Sequence, residues 1–465
     1  MFRSQDKSLP SLPEAHRSIP VSTSSHWLRR FFSFAGPGYL VSVGYMDPGN
    51  WGTDLAGGAK YNYALLWVIL ASNLMAILLQ TLCVRLGLVT GQDLAQACRD
   101  SYKRPAAIAL WFLCEIAIVA CDLAEVIGSA VALNLLFHIP LVLGVLITGL
   151  DVLILLALMK FGFRKIEAII VTLVSTIAFC FALQIFKAHP DWGGVARGLV
   201  TPVLPDKEAL FIALGILGAT VMPHNLYLHS SIVQTRAHDR DTKKGMKIAV
   251  TNATADTVIA LGLAFFVNAS ILIVAAAAFH ATGRTEVQDL REAHELLTPI
   301  LGGASATAFA VALLASGQSS TITGTLAGQI VMEGFLNLKV APWLRRLVTR
   351  GLAIIPAIIL IVVRGGKDTV GLLILSQVVL SMQLSFAIFP LMMFTSDRRR
   401  MGDYANPLWL KLLGYLVCFL IAGLNLKLLW DTIGPFWTST CMGVVVLFAL
   451  YVKFIYREKP RSSVS

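Results

Sequence analysis

Long apolar runs separated by short polar segments dominate the sequence after residue 30. A run of about 20 apolar residues can cross a bilayer as a helix, so each run predicts one membrane span. We predict twelve spans, at approximately residues 33–57, 63–88, 105–134, 139–160, 165–187, 208–235, 247–280, 297–336, 346–364, 369–395, 407–430 and 436–456. The run at 297–336 is too long for one span, which indicates a helical extension or a loop within it. The pattern predicts an all-α integral membrane protein.

Two of these spans are interrupted by a proline that stands beside polar residues. Pro48 lies between Asp47 and Asn50 in the first span, and Pro223 follows Met222 in the sixth. Proline has no amide hydrogen, so each helix should break there and leave carbonyl oxygens without donors. A simple proline kink is the alternative for either break alone. Because the breaks stand five spans apart, an odd number, we predict a 5+5 inverted repeat with discontinuous helices 1 and 6.

The same pattern predicts the domain organisation. The Ser- and Pro-rich residues 1–30 are interpreted as a disordered cytoplasmic tail. Residues 31–395 should form a transport core of two inverted five-helix repeats, at about 31–190 and 205–395. The peripheral helices 11 and 12 follow at 396–456, and a cytoplasmic tail at 457–465.

Composition agrees with a membrane protein. The chain is 56% hydrophobic and 14% charged, with a mean hydropathy of +0.72, values outside the range of soluble proteins of this length. The net charge of +11 does not indicate nucleic-acid binding, since no basic stretch is interleaved with aromatic residues. Most Lys and Arg residues, including Arg236 and the cluster 398–400, fall on the side that holds both termini. The positive-inside rule therefore predicts that both termini are cytoplasmic.

The two breaks should meet near the middle of the membrane and form one cation site. Its expected ligands are a carboxylate, an amide, a thioether and two backbone carbonyls, from Asp47, Asn50, Met222, Gly44 and Ala219. Oxygen ligands alone would suit Mg²⁺ or Ca²⁺, whereas a thioether favours more polarisable ions such as Mn²⁺ and Fe²⁺. Most methionines only fill space in a core; the position of Met222 beside Pro223 favours the ligand role.

Three carboxylates lie on one face of the third span. Glu115, Asp122 and Glu125 are spaced by seven and three residues. Such a column can relay protons when it is buried, and we expect Asp122 and Glu125 to do so, with Glu115 in a structural role. The alternative is ion pairing with an arginine of span nine, Arg350 or else Arg345 or Arg346, and the two interpretations are compatible.

Other polar side chains also lie within apolar runs. His224 and His229 follow the second break, and we expect them to be structural or to carry protons rather than to bind metal. Hydrogen bonding between helices is the commoner role of the buried amides, although Gln377 is placed where it could approach the ion as an extra ligand. These amides are Gln80, Asn268, Gln377 and Gln383. The seven cysteines mostly lie in apolar runs without C-x-x-C spacing, which favours core positions over disulfides or zinc.

Two segments resemble the signature sequences of the NRAMP divalent-metal transporters, in particular their bacterial, manganese-uptake (MntH-type) branch. They are DPGNWGTDLAGGA at residues 47–59 and MPHNLYLH at residues 222–229. Shorter matches occur at residues 122–125, 317–321 and 376–384, and the resemblance extends from about residue 31 to 430.

The resemblance implies a LeuT-like fold and proton-coupled import of Mn²⁺ and related ions. The metal ligands that it implies are Asp47, Asn50, Met222, the carbonyls of Gly44 and Ala219 and, in some states, Gln377. The proton route that it implies comprises Asp47, Glu125, Asp122 and Arg350. Position 44 is commonly alanine in such proteins and is glycine here. Since the ligand at this position is the backbone carbonyl, we expect little effect.

We therefore expect a proton-coupled symporter that imports Mn²⁺, Fe²⁺ and similar ions by alternating access in the bacterial inner membrane. It is not expected to be an enzyme or to carry a cofactor. Its expected partners are the ion, protons and the lipid bilayer, with no nucleic acid and no obligate protein. A sodium-coupled organic-solute symporter of the same fold would need a roomier pocket, and a membrane metal sensor would need a soluble signalling domain. A passive channel is not distinguished by sequence.

Overall fold

The computed structural model describes residues 11–13, 15–22, 26–150, 162–338, 342–364 and 368–455. The first half contains strand β1 (Ile19–Pro20) and helices α1 (Trp27–Phe34), α2 (Pro37–Gly44), α3 (Pro48–Tyr61), α4 (Leu66–Thr90), α5 (Leu94–Ser101), α6 (Arg104–Phe137), α7 (Leu141–Thr148), α8 (Phe163–Ala188) and α9 (Trp192–Val200). The second half contains strand β2 (Arg236–Ala237) and helices α10 (Lys207–Val221), α11 (Pro223–Ile232), α12 (Lys243–Ala278), α13 (Leu290–Leu301), α14 (Gly303–Leu336), α15 (Pro342–Arg364), α16 (Thr369–Ser396), α17 (Arg398–Met401) and α18 (Leu408–Leu450). Short 3₁₀ turns occupy Val233–Thr235, His280–Thr282 and Gly402–Tyr404, and a π turn occupies Tyr451–Ile455.

Within the described ranges, seven helical segments are long and apolar enough to cross a membrane. They are Leu66–Thr90, Arg104–Phe137, Phe163–Ala188, Lys207–Thr235, Lys243–Thr282, Thr369–Ser396 and Leu408–Lys453. These segments correspond to predicted spans two, three, five, six, seven and ten, and to spans eleven and twelve together. The prediction of an all-α membrane protein is confirmed.

The other predicted spans correspond to shorter or less apolar helices. Span one is divided between α2 and α3, span eight is α14, and span nine is α15. Predicted span four begins with α7, and its remainder from residue 151 lies outside the described residues. The predicted tail at 457–465 also lies outside them.

Glycines in the left-handed region mark two helix boundaries. Gly302, at φ 87°, separates α13 from α14, so the overlong predicted run contains the end of one helix and the whole of another. Gly434, at φ 83° and followed by Pro435, bends α18 between predicted spans eleven and twelve.

Both broken helices lie inside the bundle. Helix α3 packs against α10, α12 and α16, and α6 packs against α14 and α16. Trp51 of α3 is fully buried, with its ring edge-on to Phe181 and Phe309 at centroid distances of 4.9 and 5.0 Å. This packing holds the first break in the interior, away from lipid.

Part of the segment before α1 packs against the helices, which differs from the disorder predicted for residues 1–30. Leu12 is 3% exposed and its amide donates to Glu333 Oε2 at 3.0 Å. Ser11 Oγ donates to Asp93 Oδ2 at 2.6 Å, and β1 pairs in parallel with β2. We call residues 11–13 and 15–20 the N-terminal strap. Its composition favoured disorder, but one buried leucine and two carboxylate acceptors fix its position.

Arg236 was expected among the basic residues of a cytoplasmic loop, and its side chain is instead buried. It is 1% exposed and its Nη1 lies 2.8 Å from Glu167 Oε1. Its Nε and Nη2 donate to the carbonyls of Phe34 and Ala35 at 3.0 and 2.7 Å. The pair with Glu167 compensates the buried charge, and the arginine fixes the chain entering α2.

Candidate metal and proton site

The first break separates α2 from α3 at Asp47. This residue caps α3, since its Oδ1 accepts a hydrogen bond from Asn50 N at 2.9 Å. Gly44 is the last residue of α2, and the residue four positions later is Pro48. Because Pro48 has no amide hydrogen, the Gly44 carbonyl lacks its usual helical donor. Asp47 and Asn50 are both buried.

The second break has the same construction around Met222. This residue separates α10 from α11 at φ 25° and ψ 107°, a left-handed conformation that is strained for a side chain with a Cβ. Pro223 stands four residues after Ala219, so the Ala219 carbonyl also lacks a helical donor. Both carbonyls that the sequence predicted as ligands therefore lack a helical N–H donor, because a proline stands four residues after each.

The two breaks lie against each other, and Gln377 of α16 joins them. A methyl group placed on Gly44 would lie 3.1 Å from Met222 Sδ. A Cβ on Gly49 would overlap Gln377 Nε2, and a Cβ on Gly218 would overlap the Gln377 carbonyl oxygen. These glycines permit the close approach of the three helices. The structure therefore brings Gln377 to the first break, where the sequence suggested an extra ligand.

Several buried oxygen atoms at the breaks have no hydrogen-bond partner among the described residues. Asn50 Oδ1 and Gln377 Oε1 are among them. A buried acceptor without a donor costs about 1–3 kcal/mol, which a bound cation would offset. Within the described part of the chain, no group of three or more His, Cys, Asp and Glu residues could hold a metal ion. A metal site here must combine Asp47 with amide, thioether and carbonyl groups.

A chain of polar groups leads from Asp47 to α15. The Cys121 thiol lies 3.6 Å from Asp47 Oδ2 and 3.9 Å from Glu125 Oε1. Thr321 Oγ1 donates to Glu125 Oε2 at 3.1 Å, and Arg350 Nη1 lies 3.2 Å from the same oxygen. These contacts join the metal-site carboxylate to a buried arginine.

The structure assigns different arginines to the three acids of span three. Arg350 Nη1 lies 3.9 Å from Asp122 Oδ1, so Arg350 is the partner of Asp122 as well as of Glu125. Arg345 Nη2 donates to both oxygens of Glu115, at 2.9 and 2.8 Å. Glu115 therefore belongs to a separate ion pair, and the side chain of Arg346 lies outside the described residues.

Two of the predicted supporting residues form a second chain at the first break. His229 Nδ1 lies 2.9 Å from Gln80 Oε1, and Gln80 Nε2 donates to the Tyr45 hydroxyl at 2.9 Å. His224 and Asn268 are also buried. Neither His224 Nδ1 nor Asn268 Oδ1 has a hydrogen-bond partner among the described residues.

Sequence reasoning missed several of these groups. Cys121 was interpreted as a core residue, although its position next to Asp122 placed it near the acids. Thr321 lies in one of the short matching segments, at residues 317–321, but carried no assigned role. Tyr45 immediately precedes the first break and was treated as part of the apolar run.

The chain matches a family model and several known proteins. The family model described as Nramp, natural resistance-associated macrophage protein-like, matches residues 38–431. The chain is 58% identical over 427 residues to a divalent metal cation transporter MntH of Nostoc sp., covering 91% of this chain and 96% of that protein. It is 57% identical over 427 residues to the protein of the same name from Agrobacterium fabrum, covering 91% and 92%.

Solved structures show the same fold. The crystal structure of a manganese transporter from Eremococcus coleocola superposes with a TM-score of 0.84 at 40% identity, covering 95% of this chain and 96% of that chain. Mhp1, a nucleobase-cation-symport-1 family transporter, superposes with a TM-score of 0.59 at 15% identity, covering 94% and 96%, and supports the fold alone. The predicted LeuT-like fold class is confirmed.

Proposed function

The chain belongs to the Nramp family of metal-ion transporters, and from this premise we propose that it imports Mn²⁺, Fe²⁺ and similar divalent ions together with protons by alternating access. It is a multi-pass membrane transporter rather than an enzyme. We place it in the bacterial inner membrane with both termini in the cytoplasm, on the distribution of its basic residues.

The observation that carries the proposal is the contact between the two breaks. It brings the Gly44 backbone to the Met222 thioether, and Cys121, which packs in the same cluster as Met222, contacts the Asp47 carboxylate. The proposed ligands are Asp47, Asn50 and Met222, the carbonyls of Gly44 and Ala219, and Gln377 in some states. One carboxylate supplies the negative charge, and the amide and carbonyl oxygens suit a hard divalent ion. The thioether adds preference for polarisable transition metals over Ca²⁺ and Mg²⁺.

The proposed proton route begins at the same carboxylate. Asp47 would release a proton as the cation binds, and Cys121, Glu125 and Asp122 would carry it toward Arg350. The contacts from Asp47 through the Cys121 thiol to Glu125 support this order. We also assign His224, which is buried beside the second break, to the proposed proton route.

Transport by the purified protein in liposomes tests both parts. With an alkaline interior and an acidic exterior, we expect Mn²⁺ accumulation that a protonophore reduces. Asp47→Ala should abolish accumulation, whereas Asp403→Ala, which removes a carboxylate that is 77% exposed, should leave it unchanged. Uptake that ignores the pH gradient would contradict proton coupling, and parental uptake by Asp47→Ala would contradict the metal site.

A further inference from the structure

Asn225 places an additional amide where the two breaks meet. It lies in the first turn of α11 and is 1% exposed. Its Nδ2 donates a hydrogen bond to Met222 Sδ at 3.4 Å. A Cβ on Gly44 would overlap the same Nδ2, so the amide fills the space that a larger residue at position 44 would occupy. Asn225 therefore contacts two residues of the proposed metal site.

The oxygen of this amide has no hydrogen-bond donor within the part of the chain that the structure describes. Asn425 provides a comparison, because it is a buried amide with both ends paired. Its Oδ1 accepts from Ser381 Oγ at 3.0 Å, and its Nδ2 donates to the Ser381 carbonyl at 2.8 Å. This pairing avoids the cost of an unpaired buried acceptor, about 1–3 kcal/mol. Asn225 Oδ1 carries that cost beside a proposed cation site.

We propose that Asn225 is a further ligand and a specificity-determining residue for the transported divalent cation, an inference that rests on the function proposed above. A rotation of about 180° around the Cβ–Cγ bond exchanges Oδ1 with Nδ2 and keeps the shape of the side chain. It turns the oxygen toward the position between Gly44 and Met222 Sδ. The thioether lone pair that now accepts from Nδ2 becomes available to the ion, and the amide oxygen joins its coordination shell.

A second amide oxygen makes the ligand set harder. Mn²⁺ prefers oxygen ligands, whereas the more polarisable Cd²⁺ gains more from the thioether. Loss of the Asn225 amide should therefore weaken Mn²⁺ binding more than Cd²⁺ binding, and loss of Met222 should do the reverse. A general loss of folding would weaken both ions together.

Isothermal titration of the purified full-length protein with Mn²⁺ and with Cd²⁺ tests this assignment. For Asn225→Ala we expect the Mn²⁺ Kd to rise about tenfold, and the Cd²⁺ Kd to change by less than about threefold. Asn225→Asp keeps an oxygen at the site and should bind Mn²⁺ at least as tightly as the parent. Asn252→Ala is the matched control, because its amide donates to the Ile248 carbonyl of its own helix, at 2.7 Å.

The fit between Gly44 and Asn225 supplies a second measurement. The sequence alone suggested little effect of an alanine at position 44, but the structure places the Asn225 amide in the space of its methyl group. Gly44→Ala keeps the backbone carbonyl but displaces this amide, so it should weaken Mn²⁺ binding about as much as Asn225→Ala. In the Asn225→Ala background the overlap with the amide is removed and Met222 Sδ, at 3.1 Å, is the tight contact that remains for the methyl group. Gly44→Ala should therefore weaken binding there by much less than in the parent. Parental Mn²⁺ affinity in Asn225→Ala, or additive effects in the double variant, would overturn the assignment.

Asp47→Ala separates this inference from the function on which it rests. If Asp47→Ala abolishes Mn²⁺ binding and Asn225→Ala does not change it, the proposed site stands and the role of Asn225 is refuted. If Asp47→Ala binds Mn²⁺ as the parent does, the proposed site itself is refuted.

Discussion

The buried ion pair between Arg350 and Glu125 offers a way to separate structural support from proton transfer. Arg350 is 1% exposed and Glu125 is 0% exposed. The arginine lies 3.2 Å from Glu125 Oε2 and 3.9 Å from Asp122 Oδ1. We consider Arg350→Met, Glu125→Gln and the two combined. Each replacement approximately preserves side-chain volume and removes one charge.

The charge balance of this cluster sets the expected magnitudes. Removing one partner of a buried ion pair costs about 3–5 kcal/mol of unfolding free energy. Arg350→Met leaves two neighbouring carboxylates without this cation, so we expect a loss near the upper end. Glu125→Gln leaves Arg350 beside Asp122, so we expect a loss near the lower end. In the double variant Asp122 is the one of these two carboxylates that keeps its charge. This variant should therefore be more stable than Arg350→Met by about 2 kcal/mol.

Thermal unfolding of the purified protein in detergent, followed by the fluorescence of its nine tryptophans, measures these differences. The double variant should unfold at a higher temperature than Arg350→Met. Uptake driven by the pH gradient should be lost in all three variants, because each lacks a member of the proposed route. A double variant no more stable than Arg350→Met would refute the electrostatic reasoning. Recovery of pH-driven uptake in the double variant would refute the role of Glu125.

Three further predictions follow from single contacts. Met222→Ala should retain Mn²⁺ uptake but allow Ca²⁺ to compete for uptake. Met392→Leu, at a buried methionine packed against Gly414, should leave Ca²⁺ exclusion unchanged. Unchanged Ca²⁺ competition in Met222→Ala would count against the role of its thioether as a soft ligand. Gly49→Ala should lower Mn²⁺ uptake about tenfold because its methyl group overlaps Gln377. Gly262→Ala is the control, since its Cβ meets no atom of the described residues within 4 Å, and it should not change uptake. Equal uptake rates in the two variants would contradict the close packing of Gly49 on Gln377. Burial raises the pKa of Asp93 from 3.8 to about 6, so the folded protein keeps a proton that the unfolded chain loses. Unfolding free energy should therefore fall by on the order of 3 kcal/mol as pH rises from about 4 to about 6, and Asp93→Asn should remove this step in thermal scans; an unaltered profile would contradict it.

The features that the sequence predicted well depend on local backbone chemistry. Pro48 and Pro223 lack an amide hydrogen in any fold, so both helix breaks and the carbonyls of Gly44 and Ala219 could be inferred from the chain alone. The apolar runs likewise predicted helices, because a membrane span requires a minimum length.

The features that it did not predict depend on distances between segments far apart in the chain. Nothing local shows that the Cys121 thiol reaches Asp47, or that Glu167 compensates Arg236. The basic character of Arg236 suggested a solvated loop, and only the packing of α8 against the start of α2 reveals its partner. The amide of Asn225 beside Gly44 depends in the same way on how closely two helices cross.

The N-terminal strap has a mechanical consequence for the helices that it contacts. It joins Asp93 before α5, Glu333 near the end of α14 and the strand after α11, three parts of the chain that are remote in sequence. These parts cannot separate at that end of the bundle unless at least one of the strap's contacts with them breaks. Deleting residues 1–20 before crystallisation, a routine step, would remove all three contacts at once. Transport rates measured on the shortened protein would then describe a transporter that opens more easily than the intact one.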